Sequence, residues 1–367
     1  MRALIHIGTP KAGSTTIQYF VNENAEALAS KGVQYLRHHD GYRGNHELLH
    51  AGLLLSGDDL TEKGPRSLLK STQPRDVAAQ VDALRASLEA LVAKRGGSGT
   101  YFASNELIFL RLTTAPRIAG LHDLLSEYFS EVRYLCYLRP PEDWILSRYS
   151  QHLRGGGTST LEEYGRQQSE SYDFANILDT WADCVGQDNQ IVRLLDRDSL
   201  VGGDLIADVL SLMGLDSDGF APVPRQNEAL GHVTCSFLRQ INETLGRADL
   251  KDPNEIIRRA LVKRLEQGSD GEPRPQFSSE TVGRIRSENA EQLERIRARY
   301  FPDRATLFAP PRLSAPQEAP DFSEAVALAA SLLSELPRDE KLASRLRRAN
   351  PPAPGPRVRA LKEAQTT

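Results

Sequence analysis

Lys11 stands in a glycine-bearing turn, Gly8-Thr9-Pro10-Lys11-Ala12-Gly13-Ser14-Thr15-Thr16, between an apolar run and a stretch of helical spacing. A turn of this kind that opens a helix aims several backbone N–H groups at one point, with the helix dipole behind them. Ser14, Thr15 and Thr16 add hydroxyls and Lys11 adds a mobile ammonium, which together make a socket for a dianionic phosphate group. The plainer alternative is a helix start capped by Ser14, with the lysine in solvent. A buried strand directly ahead of the turn favours the socket.

The two glycines and Thr15 keep the spacing of the Walker A turn, but the lysine does not. Walker A carries it directly after the second glycine, where this chain has Ser14; Lys11 comes three positions earlier. A lysine so displaced does not reach the β/γ position of a nucleoside triphosphate in the usual way. A P-loop kinase or NTPase using Mg²⁺ is therefore an alternative function rather than the leading one. A non-catalytic protein that keeps a nucleotide-binding fold is a third.

Residues 2–8 are a short apolar run ending in Gly8, the pattern of a buried parallel strand, and 14–30 have helical spacing. Segment 36–66 reads as loop with a short helix near 46–55. Residues 75–95 form an amphipathic helix with Val77, Val81, Leu84, Leu88 and Leu91 on one face, stopped by the run GGSG at 96–99. Further strands are expected at 100–104, 132–138 and 190–195, with helices at 115–129, after Pro141 to about 154, at 174–185 and at 200–213. Strands alternating with helices of this length imply an α/β three-layer sandwich with a central parallel sheet. From 230 the pattern turns wholly helical, with a long polar helix at 279–299. The expected organisation is one α/β domain over 1–300, a helical C-terminal extension over 301–336, and an Arg/Pro-rich disordered tail over 337–367.

The totals narrow the function further. The 367 residues are 40% hydrophobic and 26% charged, with a formal charge of −4, and the pI is near 6.1. That balance exerts no general pull on nucleic acid, so an anionic ligand must be held by a local cluster of donors. The three cysteines are widely spaced and show no metal-ligand pattern, which suits a reducing compartment. No stretch approaches the ~18 apolar residues of a membrane helix, and the first residues are interrupted too early for a signal peptide. A cytoplasmic protein without a membrane span is expected; oligomeric state is not legible.

Pro10-Lys11-Ala12-Gly13-Ser14-Thr15-Thr16 is similar to the PKxGTT loop of sulfotransferases that use 3′-phosphoadenosine 5′-phosphosulfate (PAPS). In that family the loop grips the donor's 5′-phosphosulfate. An arginine at a strand end and a serine eight residues on bind its 3′-phosphate; Arg139 and Ser147, in Arg139-Pro140-Pro141-Glu142-Asp143-Trp144-Ile145-Leu146-Ser147, keep that separation. The spacing is physically apt. Arg139 leaves the carboxyl end of a strand, where ligands bind in open α/β sheets, and Ser147 falls about two turns into the next helix. A guanidinium fork and a hydroxyl suit a terminal phosphate. The first 240 residues or so resemble bacterial sulfotransferases of the HIGxxKxGTTxIQ type, with echoes at Asn45-His46, Ser104-Asn105-Glu106, Tyr149-Ser150-Gln151 and 225–230. The arginine-lysine-glycine motif of the animal cytosolic enzymes is absent, and Arg225 is the residue that would stand in for it.

The resemblance implies transfer of a sulfuryl group from PAPS to a hydroxyl or amine of a small-molecule, lipid-linked or glycan acceptor. It implies release of 3′-phosphoadenosine 5′-phosphate (PAP), with no metal. Lys11 would neutralise charge growing on the bridging oxygen. Two residues could take the acceptor's proton. Glu106 follows the second expected strand, where animal cytosolic sulfotransferases put a histidine; His46 lies in a region comparable to the one that supplies a glutamate in heparan-type enzymes. Glu106 could instead cap the helix after Ser104, and His46 could be a surface residue. His50, four residues on, would share the face of His46 and could orient it or line the acceptor cleft. Trp144 and Tyr149 read as residues that pack their helix onto the sheet.

Overall fold

The computed structural model describes residues 1–36, 44–69, 72–223, 230–245, 253–268, 272–311 and Ser344. Five strands are present: β1 (Arg2–His6), β2 (Val33–Tyr35), β3 (Thr100–Ser104), β4 (Glu131–Leu138) and β5 (Gln190–Leu194). The helices before β3 are α1 (Ser14–Glu23), α2 (Ala25–Ser30), α3 (His46–Leu55), α4 (Lys63–Leu68) and α5 (Pro74–Arg95). Between β3 and β5 come α6 (Leu107–Arg111), α7 (Ala115–Ser126), α8 (Pro141–Arg154), α9 (Leu161–Gln168) and α10 (Phe174–Val185). After β5 come α11 (Leu205–Leu212), α12 (His232–Leu245), α13 (Pro253–Gly268), α14 (Ser279–Glu288) and α15 (Ala290–Tyr300). Among the described residues no helix is long and apolar enough to cross a membrane.

The chain divides into two compact units. The first comprises Met1–Trp144, Ser169–Asn227 and Ile285–Pro311; the second includes Ile145–Gln168 and Glu228–Arg284. The first unit carries the sheet. Its sheet has the order β2-β3-β1-β4-β5 with every pair parallel. β1 lies at the middle, in register with β3 (His6 opposite Ser104) and with β4 (His6 opposite Leu135). Strand order reverses around β1, so the carboxyl ends of β1, β3 and β4 adjoin the switch point where open α/β sheets bind ligands.

Helices cover both faces, an arrangement compatible with a three-layer sandwich. The two-residue side-chain period of β4 sorts its residues between them. Leu135 and Tyr137 join Leu4 and Phe102 in a core with Ile17, Phe20 and Val21 of α1 and Val209 and Leu210 of α11. On the other face the Tyr134 ring meets Trp181 of α10 at 4.9 Å, and its hydroxyl lies 3.1 Å from Nδ1 of His122 of α7. The amphipathic reading of α5 holds at all five positions, each of them buried.

Three expectations needed adjustment. β2 adds a fifth strand at the sheet edge; three residues are too few to show a period. The helix read at 14–30 breaks at Asn24, a buried residue whose side chain donates to Phe20 O (3.1 Å) and clasps the backbone of Ala221 through both its amide atoms. The helix read at 279–299 breaks in the same way at buried Asn289, whose Nδ2 donates to the carbonyls of Ser169 and Ile285, both at 2.7 Å. In each case a buried amide competes with the helical ladder for its backbone partners.

In the second unit the described elements are helical. Asn242 of α12 donates to the carbonyls of Leu153 and Gly157, both at 2.8 Å. The buried pair Glu255–Arg258 sits on α13, and Arg258 also donates to Arg154 O (2.8 Å). Residues 301–311 are turn and bend, and the rest of the expected extension and the tail, apart from Ser344, lie outside the described residues.

Candidate functional site

The turn between β1 and α1 is shaped by three left-handed residues: Gly8 (φ 74°), Lys11 (φ 68°) and Gly13 (φ 85°). Glycine is required at both flanking positions. A Cβ on Gly8 would lie 2.5 Å from Cα of Glu106, and one on Gly13 would lie 2.3 Å from Cδ2 of Leu205. Lys11 is the one non-glycine residue with positive φ among the described residues. Such a conformation costs a lysine about 1–2 kcal/mol, so something must hold it.

Three consecutive residues of the turn are held from β4 and the start of α8. The Thr9 hydroxyl donates to Tyr137 O (2.5 Å), the Trp144 indole N–H donates to Pro10 O (3.0 Å), and Nη1 of Arg139 donates to Lys11 O (2.9 Å). Within the turn, Ala12 N–H donates to Thr9 O at 3.2 Å. Trp144 is itself locked edge-to-face against Tyr172 and Phe174, and the Tyr172 hydroxyl donates to Arg139 O at 3.0 Å. α1 starts at Ser14, so the Ser14 and Thr15 N–H groups precede the first intrahelical donor, Thr16 N–H on Gly13 O. The Ser14 hydroxyl is buried without a hydrogen-bond partner among the described residues and faces the Gly8 side of the turn, 3.3 Å from the position a Cβ would take there.

Beside the turn, the end of β3 carries the expected proton acceptor. Glu106 is half-buried, and Nε2 of Gln18 on α1 donates to its Oε2 at 2.7 Å. The same amide nitrogen lies 3.4 Å from Ser104 Oγ, which lies 2.8 Å from Nδ1 of His6. Glu106 does not cap α6 with its side chain; Asn105 Oδ1 does that work, accepting from Leu107 N at 2.9 Å. Asn45 and Asn105 staple the start of α3 to the end of β3. Asn45 N donates to Ser104 O (2.8 Å), Ser104 N to Asn45 Oδ1 (3.0 Å), and Asn105 Nδ2 to Asn45 O (3.0 Å). That staple sets His46 beside the strand end, with its Nδ1 3.3 Å from Asn105 Nδ2.

Burial controls the charge states here. The His6 imidazole is fully buried, and desolvation pushes its pKa down to about 4 against the opposing pull of Glu106. It is neutral at neutral pH. Burial likewise lowers His50, whose Nδ1 lies 2.7 Å from Gln80 Oε1 on α5. His50 is therefore tied to α5 rather than orienting His46. Burial also lowers Arg111 at the end of α6, while the Glu106 charge counteracts it.

Lys11, Ala12, Gly13, Ser14, Thr15, Thr16, Arg139, Glu106 and His46 thus belong to one unit, at the carboxyl ends of β1, β3 and β4 and the elements that follow them. Ser147 is half-buried on α8 in the second unit, and Arg225 lies outside the described residues. Sequence reading passed over Thr9 and Gln18 as individuals and treated Trp144 as packing alone. The signal available was position: Thr9 inside the turn, Gln18 one turn into its helix, Trp144 five residues after the arginine. A cavity of about 540 Å³ at the far end of α3, lined by Leu54, Leu60, Arg66 and Arg75 among others, contains none of these residues. No group of three or more His, Cys, Asp or Glu among the described residues could hold a metal ion.

No family model matches this chain. An uncharacterized protein of Archaeoglobus fulgidus is 28% identical to it over 118 residues, 31% of this chain and 31% of that protein. The chain therefore spans about a third of the length of that relative, which resembles it over a part only.

Proposed function

We propose that this chain is a PAPS-dependent sulfotransferase that moves a sulfuryl group to a hydroxyl or amine of a glycan, lipid-linked or small-molecule acceptor and releases PAP. The observation that carries the reading is the hydrogen bond from Arg139 to the Lys11 carbonyl, 2.9 Å long. It brings the guanidinium on the β4 side and the ammonium-bearing turn after β1 to one edge of one sheet, as recognition of a single bisphosphorylated nucleotide requires. The neighbouring Glu106 carboxylate adds a proton acceptor at the same edge.

In this reading the turn amides, the hydroxyls of Ser14, Thr15 and Thr16, and Lys11 hold the phosphosulfate end. Arg139 serves the 3′-phosphate. The acceptor oxygen or nitrogen bonds to sulfur as the bond from sulfur to the bridging oxygen breaks, and the electron pair of that bond stays on the 5′-phosphate of PAP. Lys11 stabilises that charge, and Glu106 or His46 takes the acceptor's proton. A cytoplasmic location belongs to the same proposal, since Cys136, Cys184 and Cys235 are all free thiols.

The direct test is thermal unfolding with PAP and with AMP at equal concentration. PAP should raise Tm well beyond AMP, through binding linkage. Equal shifts would remove the 3′-phosphate site, and a magnesium-dependent turnover of ATP would replace this reading with that of a P-loop NTPase.

A further inference from the structure

We propose that Trp144 is a positioning residue for Lys11, setting the backbone twist that aims its ammonium. The backbone of a residue is defined by the two peptide planes on either side of its Cα. For Lys11 those are the Pro10–Lys11 and Lys11–Ala12 peptides, and both are pinned. The first is held at its oxygen by the Trp144 indole, at 3.0 Å. The second is held at its oxygen by Arg139 (2.9 Å) and at its nitrogen by Thr9 O (3.2 Å). Pro10 narrows the choice further, because its ring fixes its own φ and it has no N–H with which to form an alternative turn bond. With both planes held, φ of Lys11 stays at 68° although lysine disfavours it.

Of these restraints, the indole bond is the one whose donor has no role of its own in ligand binding. Trp144 is 2% exposed and packs edge-to-face against the adjoining rings of Tyr172 and Phe174, so its N–H direction is set by aromatic packing and cannot follow the turn if the turn relaxes. A side chain read as packing therefore transmits the geometry of the Tyr172 and Phe174 rings to the ammonium. This extends the donor-binding reading of the turn and rests on it for the ligand.

The test is a cycle of Lys11→Gly, Trp144→Phe and the double variant. Without nucleotide, Lys11→Gly should raise Tm by about 2–4 °C, because glycine tolerates this φ. In the Trp144→Phe background, where the lysine relaxes unaided, the gain should vanish; an equal gain in both backgrounds overturns the proposal. In calorimetry with PAP, Trp144→Phe should weaken binding about tenfold when Lys11 is present and not at all beside Lys11→Ala. An equal loss in both backgrounds makes the effect general and overturns it too. If wild-type protein does not bind PAP, the donor reading falls, and the nucleotide-free cycle still decides the role of Trp144. Should Trp144→Phe not fold, indole-¹⁵N labelling of the two tryptophans provides the measurement. Pro10→Gly, which frees the peptide plane the indole holds, must then move the Trp144 signal and leave Trp181 in place, and an unmoved Trp144 signal refutes the link.

Discussion

Asp208 and Glu106 are carboxylates of the same unit put to opposite uses. Asp208 is fully buried and accepts from the Tyr137 hydroxyl (2.7 Å), from Arg193 twice (3.1 and 2.5 Å) and from Val201 N (3.1 Å). Burial alone would push its carboxyl up; the bonds from Arg193, Tyr137 and Val201, with the Arg193 charge, outweigh that and hold it below its ordinary value. Every acceptor site of a carboxylate is about used up by four such donors. Glu106 is half-buried and, among the described residues, accepts one hydrogen bond, from Gln18. A saturated carboxylate binds β4, β5 and α11 to one another, whereas one steered at a single oxygen keeps capacity for an incoming group.

The contrast can be broken most sharply at Glu106. Glu106→Gln keeps an oxygen for Gln18 to bond, so stability should hold while the proposed sulfuryl transfer falls ~10²–10³-fold. A loss that instead followed His46→Ala, with Glu106→Gln active, would hand the proton to the histidine. At Asp208 the order of effects reverses. Asp208→Asn should cost about 3 kcal/mol in denaturant unfolding, the low end for a broken buried pair because the Arg193 side chain is 33% exposed. PAP affinity of the folded protein should not change; a parallel drop in affinity would mean that this pair also shapes the site.

A third effect, close in size to that at Asp208, is a pH dependence at His6, which touches Ser104 in the Glu106 neighbourhood. Its pKa of about 4 in the folded protein lies below the 6.5 of an unfolded chain. The unfolded state therefore binds the extra proton first. The stability is complete above pH 6.5 and drains away as pH falls from 6.5 through 4, approaching about 3 kcal/mol. His6→Asn, which keeps a polar atom near the position of Nδ1, should flatten that slope in urea titrations between pH 7 and 4. An unchanged slope would assign the acid sensitivity to other groups.

Much of this was readable from residue order. The strand–turn–helix around Lys11, the strands at 100–104, 132–138 and 190–195, and the face of α5 all follow from apolar runs or helical periods long enough to register. What escaped has a common cause: single buried amides and ring N–H groups act through partners more than a hundred positions away. Asn24 meets Ala221, Asn289 meets Ser169, and Trp144 meets Pro10. A polar atom inside an apolar surrounding must find a partner, but the chain does not announce which one. The nearness of Glu106 to Gly8 belongs to the same class, since it depends on the register of β1 with β3 rather than on either segment alone.

That nearness has one more consequence. The missing side chain at position 8 lets the backbone of Glu106 rest against the first strand's end, so the gap between carboxylate and turn is gauged by hard-sphere contact. Contact of this kind carries no charge to be screened by salt and no proton to be lost. The spacing should survive changes of ionic strength and acidity that alter the groups it separates, leaving any response of the chemistry to those conditions attributable to titration and screening themselves.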